Sequence, residues 1–351
     1  AHRPEVSLGE IESLDLPALQ RDLGGDTALV EYFTLDDELL AFVVTNDGIE
    51  VVRELCNEAQ VSGELQQLRF QIDALRHGSA AIRRHLSELN KRAQHHLQSL
   101  YDLLLRPIEE TIGERRLVIV PHHQLHYLPF QALHNGESYL IERREVSYAP
   151  SAIVLQQCRR KETRDLRKAV LIGVADELTP RVHEEIETLA PLFSEAAVLK
   201  DGEATVAALR RQAPSADVLH LACHGQFRPD NPLFSSLRLG DAWLTVRDAY
   251  SLGLKSALVT LSACETGVSA VSPGDELIGL ARGFFAAGAP TLVISLWTVD
   301  DEATTRLMSD FYSALQETRS PATALRTAQM RLLKERPHIF FWSPFIVVGR
   351  W

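Results

Sequence analysis

Two side chains in this sequence could act together as nucleophile and base: the imidazole of His224 and the thiol of Cys264. Each lies close behind a short apolar run and ahead of a glycine. A free cysteine titrates near pH ~8.5, so only a few per cent is thiolate at neutral pH. An adjacent imidazole raises that share and later protonates the leaving amine, which is what cleavage of a peptide by a cysteine requires. Gly225 lets the backbone come close to a bound peptide. The backbone N–H groups of Gly225 and Cys264 are the candidate donors for the oxyanion, an effect worth about 3–4 kcal/mol per donor in a well-studied protease. Taken singly, either residue reads as the end of a core strand, because free cysteines are commonly buried and inert. Their recurrence at two consecutive strand ends reverses that reading.

The elements that must position them are the runs 217–222 and 257–262, Asp-Val-Leu-His-Leu-Ala and Ala-Leu-Val-Thr-Leu-Ser. Both suit strands buried on both faces of a parallel sheet, where functional groups sit beyond the carboxyl ends. By alternation, Cys223 turns away from His224 and reads as a core thiol, and His220 as a core histidine with its hydrogen bonds met. From residue 169 onward strand and helix patterns alternate, which predicts an α/β fold: a doubly wound, mostly parallel sheet with helices on both faces and right-handed crossovers. Before it come a three-strand meander over 28–53 with an Asn46-Asp47-Gly48 hairpin, amphipathic helices over 62–112, strands at 116–121 and 139–146, and a helix over 150–159. The charged stretch Arg159–Lys168 marks the expected boundary between a smaller domain, 1–163, and a catalytic domain, 164–351.

The runs His220-Leu-Ala-Cys-His-Gly225 and Leu261-Ser-Ala-Cys-Glu-Thr-Gly267 resemble the two catalytic motifs of the CHAT family, caspase-like cysteine peptidases of clan CD. The stretches 121–133, 274–289, 295–299 and 342–349 are similar to further segments of that family, so the likeness runs from about Leu117 onward. The resemblance implies a caspase-like fold and His224 and Cys264 as a catalytic dyad. It also implies a non-catalytic α+β companion domain at the amino end, and helical TPR repeats upstream. The activity implied is that of an endopeptidase cutting specific protein targets under control of a partner or upstream domain. Relatives that cut after basic residues carry an Asp just before the nucleophile; Ala263 stands there, which weakens the case for a basic specificity. The pocket candidates are Asp176, Ser262, Ala263, Asp275, Trp297 and Asp300. Helix capping explains the acids equally well, and a core position explains Trp297. The passage Val268–Pro273, small and polar, is the expected moving loop.

Composition narrows the alternatives. A chain of 351 residues with net charge −11 is long enough for two domains and a poor match to a nucleic-acid backbone. Cys56, Cys158, Cys223 and Cys264 are too scattered for a disulfide framework, which points to reduced thiols in a cytoplasmic setting. No apolar run approaches the ~20 residues of a membrane span. The chain begins at Ala1, as a piece of a longer polypeptide would. His122, His123 and His126 tempt a zinc reading, yet no H-E-x-x-H or cysteine partner accompanies them, and His85, His95 and His96 read as solvated helix positions. No dinucleotide or P-loop motif follows a strand, so nucleotide binding ranks last and no cofactor is expected. The reading that competes with a peptidase is a catalytically silent interaction module.

Overall fold

The computed structural model describes residues 13–76, 85–162, 165–177, 179–226, 234–255, 257–265 and 275–351, with backbone alone at 263–265 and 275–279. Helix α1 (Leu16–Leu23) opens it and is capped by Asp15, whose carboxylate accepts from the Ala18 N–H. The meander follows as β1 (Thr27–Leu35), β2 (Glu38–Val44) and β3 (Ile49–Asn57), all antiparallel. Asp36, at φ 56°, makes the first turn, a conformation aspartate tolerates. One face of the meander (Val30, Tyr32, Ala41, Val43) joins a buried cluster with Leu65 and Leu68 of α2 (Glu58–Arg76) and Leu97 and Leu100 of α3 (Leu86–Leu104). Strand β4 (Arg116–Val120) lies parallel to β1, and β5 (Val146–Tyr148) parallel to β4.

The strand expected over 139–146 is corrected here. Leu140–Arg143 forms a helical turn, because the Glu142 carboxylate reaches back to accept the Tyr139 N–H (2.7 Å), and the paired strand begins only at Val146. Helix α4 (Ala152–Arg160), capped by Ser151, then leads to the carboxyl-terminal half.

That half contains, in order, β6 (Lys168–Val174), α5 (Val182–Leu189), β7 (Glu195–Lys200), α6 (Val206–Gln212), β8 (Val218–Gln226), the hairpin β9 (Ser236–Arg238) and β10 (Trp243–Thr245), and β11 (Leu258–Glu265). It closes with α7 (Asp275–Ala286), β12 (Thr291–Ser295), α8 (Asp301–Thr318), α9 (Pro321–Glu335) and β13 (Phe345–Gly349). Strands β7, β6, β8, β11 and β12 are parallel neighbours, β13 runs antiparallel to β12, and β9 pairs with the last residues of β8. Val348 of β13 pairs with Tyr148 of β5, so the described strands of both halves form one 13-stranded sheet. Helices cover both faces. Tyr312 of α8 bonds to His220 and Thr260, whereas Ala281 of α7 borders a small cavity with Ile294 and Ile346, which the ladder turns to the opposite side. Among the described residues no helix is long and apolar enough to cross a membrane.

Candidate functional site

Strands β8 and β11 run in register from Val218↔Leu258 to Ala222↔Ser262, and the pairing then resumes at Gly225↔Cys264. Two residues of β8, Cys223 and His224, therefore stand against Ala263 alone. That is a β-bulge, which bends a strand and re-aims its side chains. It brings Gly225 level with Cys264 on the neighbouring strand and leaves His224 one residue before that level. Both lie at the carboxyl edge of a parallel sheet, as the sequence predicts.

The imidazole of His224 is 17% exposed, with Nδ1 4.0 Å from Oδ2 of Asp176. Asp176 lies just past the end of β6, the other parallel neighbour of β8. Its Oδ1 accepts from the N–H (2.8 Å) and the hydroxyl (2.9 Å) of Thr179, which fixes the carboxylate while its second oxygen faces the imidazole. The Trp243 ring meets His224 edge-on, centroids 6.2 Å apart. The imidazole is thus flanked by an aromatic edge on one side and an anchored carboxylate on the other.

Directly beneath, the same strand carries a buried polar chain. His220 Nε2 lies 2.9 Å from Glu185 of α5, and its Nδ1 lies 3.1 Å from the Tyr312 hydroxyl, which is 2.7 Å from Thr260 of β11. Tyr312 thereby links the two strands that carry His224 and Cys264. Burial keeps its hydroxyl protonated, holding its pKa far above the ordinary tyrosine range.

The remaining candidates divide. Cys264 is the penultimate residue of β11, and the side chains of Cys264, Ala263 and Asp275 lie outside the described residues, as does the whole Val268–Pro273 passage. Ser262 is fully buried, and its hydroxyl has no hydrogen-bond partner among the described residues. Trp297 is a core aromatic whose Nε1 donates to the Phe340 carbonyl (3.2 Å). Asp300 caps α8 through the Ala303 N–H (3.0 Å) and pairs with Arg336 (3.2 Å). The other described thiols are unlike a nucleophile. Cys223 is buried, and burial pushes Cys56 and Cys158 each up to about 11. His122 accepts from the Thr34 N–H (3.1 Å), and no cluster of three or more His, Cys, Asp or Glu fit to hold a metal occurs among the described residues.

Sequence reasoning named Asp176 for a substrate pocket without seeing its place beside the imidazole, and passed over Trp243 and Glu185. The signal for Asp176 was available, since it follows the strand that runs parallel to β8 and so emerges at the same sheet edge.

A model of the CHAT domain matches residues 94–350. The chain belongs to the CHAT domain family. Tetratricopeptide repeat protein 28 of Mus musculus is 26% identical over 329 residues, covering 74% of this chain and 13% of its own length. The Homo sapiens protein of that name is 26% identical over 322 residues, covering 72% and 13%. The chain thus spans 13% of the length of these curated relatives. Among solved structures, separase of Saccharomyces cerevisiae, crystallised with securin, superposes with a TM-score of 0.66 at 11% identity, covering 95% of this chain and 31% of that one. The identity is low and the likeness is one of fold, a caspase-like one. The CHAT match begins inside α3 and takes in β4 and β5, which lie before the boundary expected at 163.

Proposed function

We propose that this CHAT domain is a cysteine endopeptidase in which Cys264 attacks the scissile carbonyl, with His224 as acid and base. Asp176 serves as the residue that orients the imidazole, a role added to its sequence-based place in the substrate pocket. The backbone N–H groups of Gly225 and Cys264 are the proposed oxyanion donors. The single observation carrying this reading is the parallel pairing of β8 with β11, which brings their carboxyl ends side by side with His224 one residue from the level of Cys264. Its substrates are protein segments bound along those ends, and an upstream domain or partner governs access. The repeat-containing names of the curated relatives support such an arrangement.

The test is a peptidyl electrophile applied to the wild-type chain, Cys264→Ser and His224→Ala, alongside a peptide-library cleavage profile. Labelling and cleavage are expected in the wild type alone. Labelling that persists in Cys264→Ser refutes the assignment. A second reading, a silent interaction module, draws on the other face of the meander, where Phe33, Leu35, Phe42, Ile49 and Val51 stay exposed on one side. It predicts no cleavage by the wild type and identical partner capture by wild type and Cys264→Ala.

A further inference from the structure

The end of the sheet opposite His224 carries a feature that the peptidase reading leaves unused. Around the amino ends of β11 and β12, at Leu258 and Thr291, a cleft of about 450 Å³ opens. Seven strand residues separate Leu258 from Cys264 inclusive, so the cleft lies about 20 Å from the site. Among the described residues four cations border it, Arg159, Lys161, Arg319 and Arg350, against one carboxylate side chain, Asp165. In a chain of net charge −11, such a concentration of positive charge runs against the overall balance.

The hydrogen bonds these cations make leave most of that charge in place. Lys161 donates to the carbonyls of Phe285 (3.4 Å) and Ala289 (3.3 Å). Arg350 donates to the Lys161 carbonyl (2.6 Å), and Arg159 to the Asp22 carbonyl (2.7 Å) while lying over the Trp351 ring. Carbonyls satisfy N–H donors without cancelling charge. Asp165 is already engaged by Arg167 (3.0 Å) and Arg319 (4.0 Å). Burial correspondingly pulls Lys161, Arg159 and Arg350 below their ordinary pKa ranges, the sign of cations held away from water without full compensation. Pro321, the first residue of α9, also lines the cleft and adds the positive end of a 15-residue helix.

We propose that this cleft is a binding site for a small multivalent anion of the phosphate class. Its volume falls within the small-molecule range of ~300–1,000 Å³. Guanidinium groups match phosphate oxygens in fork geometry, and an ammonium supplies a point charge between them. The anion bridges the molecule: Arg159 lies in the last turn of α4 and Lys161 caps it, whereas Arg319 and Arg350 come from the α8–α9 turn and the end of β13. Through Lys161 it also touches the carboxyl end of α7, the helix whose other end follows Cys264.

The test is calorimetric titration of the intact chain with sodium tripolyphosphate at 0.15 M salt, repeated with ATP. Arg319→Gln, Lys161→Gln and the distant control Arg53→Gln are run beside the wild type. Saturable one-to-one binding is expected, weakened roughly tenfold or more by Arg319→Gln and by Lys161→Gln and unchanged by Arg53→Gln. ATP binding tighter than tripolyphosphate assigns a nucleotide-like ligand, and equal binding assigns a bare polyphosphate; both support the site. Arg319 is a half-exposed turn residue, so its substitution reports on binding even if Lys161→Gln perturbs folding. Absence of saturable binding, or equal binding by Arg319→Gln and Arg53→Gln, overturns the proposal.

Discussion

The two halves of the sheet finish their parallel strands in opposite ways. In the amino-terminal half the end of β5 is sealed. The Tyr148 hydroxyl accepts from the Phe130 N–H (2.7 Å) and lies within hydrogen-bond distance of the Leu128 carbonyl (3.0 Å) and Gln131 (2.9 Å), all buried. An imidazole is present there too, but His122 is engaged by Thr34 and stacked on His123. In the carboxyl-terminal half, β8 ends in a bulge, its imidazole is partly open to solvent, and an anchored carboxylate faces it. A strand-end histidine is therefore common to both halves. What distinguishes the second is the extra residue in the ladder and the absence of a cap over it among the described residues.

The sharpest way to break this contrast is to remove each histidine in turn. His224→Ala is expected to lower peptide turnover about 10²–10⁴-fold while changing the unfolding free energy by less than about 1 kcal/mol. His122→Ala should leave turnover within about twofold. Steady-state kinetics and urea unfolding on both variants check this, and equal losses of turnover would erase the distinction.

Much of that distinction was legible in the sequence, and the illegible part has a physical cause. The runs at 217–222 and 257–262 announce themselves because strands buried on both faces are apolar throughout, and Asn46-Asp47-Gly48 announces a hairpin because few residues accept its backbone. The bulge does not announce itself. It arises from a pairing between segments some 40 positions apart, with no local pattern to mark it. Asp300 and Asp176 look alike in sequence, both acids beyond a strand. Only tertiary neighbours make one a helix cap beside Arg336 and the other a partner of His224. Tyr139–Val146 misled because aromatic and β-branched residues favour strands, yet one carboxylate on one backbone N–H turned its first half into helix. That β5 and β13 join the halves into one sheet rests on a single pairing, Val348 with Tyr148, which no composition change foretells.

The next largest effect tests the floor beneath the site. Glu185→Ala removes one end of the buried chain through His220, Tyr312 and Thr260, and leaves a buried imidazole without that partner. A loss of about 3 kcal/mol in urea unfolding is expected. Because Tyr312 links β8 to β11, turnover should fall as well. A variant as stable as the wild type would show that the floor contributes nothing.

A smaller, pH-dependent effect belongs to the seam between the halves, where Trp342 packs edge-on against Tyr139. His338 caps the turn Ile339–Trp342 by accepting the Phe340 N–H on Nδ1 (3.2 Å), and burial lowers its pKa to about 4. The unfolded chain binds that proton near pH ~6.5, so between pH 6.5 and 4 the unfolded state holds more protons and stability falls as pH falls. Above pH ~6.5 the contribution is fully present. His338→Asn keeps a capping side chain and removes the titration. The decline in unfolding free energy across that window should shrink by about 2 kcal/mol, and an unchanged slope would exclude His338 as its source.

Tyr148→Phe probes the seal itself with the smallest change, one oxygen atom. It leaves the Phe130 N–H without its acceptor and withdraws a donor from the Leu128 carbonyl and Gln131. A loss of about 1.5 kcal/mol is expected, since stranded buried groups cost more than an average hydrogen bond contributes. Turnover at the far strand ends should not change, because within the sheet β13, β12 and β11 stand between Tyr148 and those ends. Should turnover fall in proportion to stability, the two ends of the sheet would be one mechanical unit. The sealed half would then be part of the catalytic apparatus rather than its contrast.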